Sequence, residues 1–416
     1  MHPAEPAQLE KDVPSGVHER PWLFAFLIAA EAVISLGLLG GGLSYLLRLQ
    51  GVDPSHSASI IALLALPHAI YFLWGPITDF WMRRRTWLIL AAVAAAATLA
   101  AAFMQPRLAS PRAIALMFVG ACLGVVIAAA SGGMMGTLKS ELNRRRAGSA
   151  YQIGSLAIGA ITVFVLASPS LHLRVSSLGL AVAAMIVVPS LFALAAPPQP
   201  LIRASGAADM LPRIGHEFRQ TFLRWEAIPY TLLITAPFCS GALIGLLPGL
   251  AADYGVTGGQ VAWINGLGSA LLTAAGAYAA SLIPVRVRAS VAFPVSGLVN
   301  AAAAAVLALG PPRPAVYFAG TVLFLFTVGA GYALFTGVAL EFLGDSGKSG
   351  SSRYAIINSL GNLPVAYMSY LDGRAYAYWG PRAMPAADAI LAALGASLLL
   401  AHFIFSRRRQ AAKAVA

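Results

Sequence analysis

Apolar residues run along this chain in stretches of about 20 or more. Short polar segments rich in Arg, Gly and Pro separate them. Each stretch matches one helical crossing of the ~30 Å hydrocarbon core of a bilayer. Membrane strands would instead alternate over only about 9–11 residues. The pattern predicts an all-α membrane protein with twelve spans. They fall near 22–47, 58–80, 86–104, 112–137, 149–168, 175–195, 229–251, 259–283, 289–309, 314–341, 354–371 and 386–406. A polar segment over 196–228 divides them six and six. The expected organisation is a leader (1–21), a six-helix bundle (22–195), a central loop (196–228), a second six-helix bundle (229–406) and a tail (407–416).

Composition agrees with that pattern. Of 416 residues, 58% are hydrophobic and 11% charged, and mean hydropathy is +0.75. Soluble domains carry about 25% charged residues. A soluble enzyme, a disordered tail protein and a disulfide-stapled secreted domain are excluded. The net charge of +12 looks at first like a nucleic-acid signal. Its distribution removes that reading. With the N-terminus inside, 21 of the 28 Lys and Arg fall on inner segments. That bias is the positive-inside rule. It predicts an inner-membrane protein with both termini cytoplasmic, its inner face against anionic lipid. The two cysteines, Cys122 and Cys239, lie in apolar runs without metal-type spacing, so neither disulfide nor metal is expected. The run from Trp22 to Leu47 is too long for a signal-peptide core and is expected to be retained.

The halves echo each other. Glu141 and Glu341 each close a fourth span. The stretch Ser149 to Leu156 is similar to Ser352 to Leu360, with one inserted residue. Duplicated bundles that rock about a central site are a transporter design; chance likeness among small-residue helices is the weaker alternative. In the central segment, Leu211, Ile214, Phe218, Phe222 and Trp225 fall near helical spacing. They predict an amphipathic helix on the inner leaflet.

At the inner end of the second span the chain reads Gly75-Pro-Ile-Thr-Asp79-Phe-Trp-Met-Arg83-Arg84-Arg85. Glycine lets two helices approach closely. An acid beside cations makes a breakable, charge-assisted contact, suited to an inner gate. Three arginines alone would also serve as a topology anchor. The motif resembles the loop 2–3 signature of the major facilitator superfamily. A narrower resemblance, over about twenty residues, is to the AmpG-type permeases. It is carried by Phe72-Leu-Trp74-Gly-Pro76-Ile-Thr-Asp79, by Arg83-Arg-Arg85-Thr-Trp87 and by Gly148-Ser-Ala-Tyr-Gln152. That branch includes muropeptide permeases and siderophore importers. Muropeptide permeases often carry a lysine where Tyr71 stands, and often have further C-terminal spans. The shorter siderophore importers fit the length better. The resemblance implies a monomeric transporter driven by a proton gradient, with no cofactor, for a siderophore-like or muropeptide-like solute.

Several polar residues lie inside the apolar runs. Glu31 is about nine residues into the first span, roughly 13 Å at 1.5 Å per residue. An acid near mid-membrane costs about 2.5–3.5 kcal/mol on insertion scales, and such residues usually face a cavity. A carboxyl there can take and release a proton. His68 follows Pro67 in the antiparallel second span, at a similar depth, so a Glu31–His68 relay is expected. Asn358 and Asn362, at i and i+4, share a helix face ahead of Pro364. With Asn265 and Tyr367 they are candidates for substrate binding, as more weakly are Gln260 and Asn300. Plain helix–helix hydrogen bonding accounts for each equally well. Asp372 and Arg374 are candidates for an outer gate or surface pair. Gly120-x-x-x-Gly124 predicts close helix packing. No phosphate-loop lysine pattern and no nucleophile–base or metal constellation occurs, so an enzyme is not expected. The expected function is proton-coupled solute import; an exporter or a membrane sensor are the rivals.

Overall fold

The computed structural model describes residues 20–74, 78, 81–135, 138, 141–168, 174–196, 212, 215, 219, 222, 224–284, 286–343 and 350–415. The leader, Gly75 and Asp79, and most of the central amphipathic stretch lie outside the described residues. Of that stretch, Phe222 is buried against Phe342, whereas Trp225 is exposed.

The described residues are helical and contain no strand. Nine helices among them are long and apolar enough to cross a membrane. They are Leu23–Leu49, Pro54–Leu73, Arg84–Phe103, Pro111–Met135, Arg146–Ala167, Val175–Ala195, Ala289–Leu309, Pro314–Ala339 and Ala383–Ser406. Local chemistry sets several ends. Asp53 caps Pro54–Ala69, its carboxylate accepting from the Ser55 amide at 2.8 Å, with Pro54 at the first helical position. Pro67 then removes a helical donor, and the helix stops at Ala69.

Three of the expected spans of the second half are broken. The pattern predicts one run over 229–251, but the helix stops at Ile234 and restarts at Ala242. Between them lie Pro237, Cys239 at φ 54° and Gly241 at φ 78°. A left-handed backbone cannot continue a right-handed helix. The run over 259–283 is widened at Ala262–Leu267, around a non-helical Gly266. The run over 354–371 divides into Gly350–Gly361 and Leu363–Trp379, with Pro364 opening the second piece. It also extends eight residues further than the apolar pattern marks. The last helix likewise runs on through the expected tail, as Ala383–Val415.

Helices of the two sequence halves cross at small residues. Gly41, at φ 138°, lies against Pro248, and Gly245 against the Leu39 carbonyl. Leu363–Trp379 packs along Pro54–Ala69, Gly373 meeting Ala58. Gly266 meets the Phe164 backbone. Within the first half, Gly120 meets Leu99 and Gly124 meets Ile34, in keeping with the expected close packing.

Space is short at Gly154, where a Cβ would stand 2.1 Å from the Ala25 carbonyl oxygen. Gly154→Ala is expected to cost about 1–3 kcal/mol through overpacking. Gly132→Ala, where a Cβ meets nothing within 4 Å, is the control. Thermal unfolding in detergent should show a lowered midpoint for the first variant alone; equal midpoints would remove the packing argument.

Candidate functional site

A cavity of about 180 Å³ lies where the two sequence halves meet. The first helix lines it at Ser35, Leu36, Leu39 and Gly40, close to its own break. The Arg146–Ala167 helix contributes Leu156, Gly159 and Ala160. The interrupted segment after residue 234 offers Ser240 and Gly241 from its unwound part. Ser269, Thr273, Tyr332 and Asn362 complete the polar lining from the second half, and apart from His68 the rest is apolar. Among the described residues no Arg or Lys lines it.

His68 is on that wall, in the last turn of Pro54–Ala69. Its Nε2 lies 3.2 Å from Glu31 Oε1, and Glu31 is buried at 7% exposure. The expected pair is therefore formed. Glu31 sits behind His68, in the short turn Ala29–Ala32 just ahead of the widened stretch Val33–Gly42. Of the two, His68 alone lines the cavity. The arrangement can also simply tie two helices together.

The other candidates divide. Asn362 lines the cavity, and its amide donates to the Asn358 carbonyl at 3.1 Å. The Asn358 side chain is exposed. Asn265 is buried and accepts from Tyr317 at 2.8 Å, away from the cavity lining. Tyr367 donates to the Thr235 carbonyl at 2.8 Å and so caps the helix break. Gln260 closes a capping box with Thr257, and Asn300 joins the Cys239 amide to Thr327. All four thus have partners within the helices. Asp372 and Arg374 do not pair. Asp372 is fully buried, whereas Arg374 is exposed and reaches Tyr378. Two residues apart on a helix, their side chains diverge by about 200°. In the basic motif, Arg83 caps the Arg84–Phe103 helix, Arg84 donates to the Gly133 carbonyl at 2.5 Å, and Arg85 is half-buried.

Two clusters escape the sequence argument. Arg48, at the end of the first helix, donates to Asp253 at 2.6 Å, and Tyr376 donates to the other Asp253 oxygen at 3.1 Å. This clasp closes the end of the molecule where Gly249 lies on Ser44 and Gly258 on Tyr45. The only sequence signal was an Arg and an Asp at the ends of the first and seventh spans. Glu341 accepts from Tyr230 at 2.8 Å and from the Ser290 hydroxyl at 2.7 Å, with Arg288 at 3.4 Å. The internal echo marks Glu341 but not its partners. Toward this other end, the Ser359 hydroxyl donates to the Ala69 carbonyl at 2.7 Å.

The chain is a multi-pass helical membrane protein, and its fold is that of known solute transporters. A D-xylose–proton symporter superposes with a TM-score of 0.68, over 91% of this chain and 95% of that one, at 14% identity. The nucleoside transporter NupG gives 0.65, over 92% and 98%, at 13% identity. A POT family transporter in complex with 5-aminolevulinic acid gives 0.69, over 93% and 96%, at 12% identity. No family model and no curated protein matches the sequence.

Proposed function

We propose that this protein is a proton-coupled secondary transporter that imports a small organic solute by alternating access. The observation that carries the proposal is the Glu31–His68 pair, with His68 on the wall of a cavity between the two sequence halves and Glu31 buried behind it. A titratable pair at that place can link proton uptake to the occupancy and packing of the cavity. In this reading twelve spans form two six-helix bundles of major facilitator type, with the broken apolar segments counted as crossings. Lys and Arg bias sets the Arg84 end in the cytoplasm and the Arg48 end outside. Asp79 with Arg83, Arg84 and Arg85 forms the inner gate. The Arg48–Asp253–Tyr376 clasp forms the outer one.

The lining suggests the kind of solute. Hydroxyls of Ser35, Ser240, Ser269, Thr273 and Tyr332, with the Asn362 amide, suit a neutral molecule with several hydrogen-bonding groups. Siderophore-like and muropeptide-like solutes stay in view through the sequence resemblance. The test uses purified protein in liposomes with an imposed inward proton gradient and a panel of labelled sugars, nucleosides, peptides, siderophores and muropeptides. Accumulation of one class, collapsed by an uncoupler, is the expected result. Accumulation that ignores the uncoupler would remove the proton from the mechanism.

A further inference from the structure

Asp372 and Asp388 take no part in the mechanism above. Asp372 lies within Leu363–Trp379 and is fully buried; among the described residues neither of its carboxylate oxygens has a hydrogen-bond partner. Asp388 lies early in Ala383–Val415, a helix packed against Leu363–Trp379, and is 2% exposed. Both acids are thus buried on two helices that pack against each other. A further oxygen is orphaned beside them. Ser369 Oγ is fully buried and without a partner, one turn before Asp372 on the same helix face.

Among the described residues nothing basic pairs with this group. No ion pair among the described residues includes either acid. Arg374 turns to Tyr378, and Tyr376 gives its hydroxyl to Asp253. The facing helices Ala242–Leu250 and Ala289–Leu309 contain no charged residue. On Pro54–Ala69, His56 is exposed and His68 pairs with Glu31. Cys239 is the other titratable side chain near Asp388.

An ionised carboxylate in an apolar shell is strongly disfavoured, and two on packed neighbouring helices more so. A positive ion shared between them removes the penalty. Carboxylate and hydroxyl oxygens are the donors that hard cations prefer. We propose that Asp372, Asp388 and Ser369 form a second site, separate from Glu31 and His68, that takes up a small monovalent cation, either Na+ or a proton.

The test follows thermal unfolding of the full chain in lipid nanodiscs at fixed ionic strength. NaCl is compared with choline chloride at pH 8.5, and pH 6 with pH 8.5 in choline. A ligand that binds only the folded state raises the midpoint. A rise of several degrees with Na+ assigns a sodium site, and a rise with acid alone assigns a shared proton. In either case Asp372→Asn and Asp388→Asn should lose the response, and Gly132→Ala should keep it. Should the aspartate variants not fold, two further readouts decide. Ser369→Ala should lower apparent Na+ affinity several-fold, and the infrared carbonyl band of a protonated carboxyl should be present in the parent protein if the ion is a proton. A parent protein indifferent to both ions and lacking that band overturns the proposal, as does a response kept in full by Asp372→Asn/Asp388→Asn. Nothing here measures solute movement, so failure would leave the transport reading standing.

Discussion

Glu31→Gln is expected to abolish accumulation driven by a pH gradient while leaving solute exchange across the same membrane intact. Gln keeps the volume and one oxygen facing His68, 3.2 Å away in the parent protein, but it cannot carry a proton. Accumulation in liposomes should fall by on the order of tenfold or more, the scale of removing one acid–base group. Exchange of labelled for unlabelled solute needs no net proton movement and should continue. The contrast matters, because a purely structural Glu31 would damage both. A variant that accumulates solute as well as the parent protein would end the coupling role.

Arg48→Ala is expected to open the Arg48 end. The guanidinium–carboxylate bond at 2.6 Å is partly buried, and Tyr376 holds the same carboxylate. Charge-assisted bonds of this kind contribute about 1.5–3 kcal/mol. A closed state favoured by that margin loses about 10- to 150-fold of its preference when the bond goes. Amide exchange over 43–52 and 250–258 should rise accordingly, and exchange over 84–103 should not. Asp253→Asn should act in the same direction, and the double variant should add little to either single one. Unchanged exchange in all three would show that helix packing alone closes this end.

How far the sequence could be read depended on how local each signal was. Long apolar runs are local, so the intact helices were legible from their length. The breaks were not. Pro237 sits in an interrupted segment, yet Pro294 lies inside the unbroken Ala289–Leu309 helix. What differs is a pair of left-handed residues, Cys239 and Gly241, held by tertiary partners. Glu31 with His68 was legible because two antiparallel spans fix depth. Arg48 with Asp253 was not, since 205 residues separate them and charges at span ends ordinarily mark topology. Asp388 was overlooked for the same reason: an acid near the start of a span resembles an interfacial residue. Asn265, Asn300 and Tyr367 stood out as polar groups in apolar runs, but each is absorbed by a neighbour's backbone or side chain.

The interruption at 235–241 also bears on how the chain is made. Its helical pieces, Ile228–Ile234 and Ala242–Leu250, are about 10 and 14 Å long at 1.5 Å per residue, so neither crosses the bilayer core unaided. The groups that quiet the exposed backbone between them arrive late in synthesis. Asn300 takes the Cys239 amide, and Tyr367 supplies the Thr235 carbonyl. A nascent chain halted before residue 300 therefore presents its insertion machinery with a polar gap and nothing to fill it. The first six apolar runs can settle in lipid as they emerge, whereas this segment has to wait for chain more than a hundred residues downstream. A cell short of insertion or quality-control factors should accordingly lose this protein at that one point of its biogenesis.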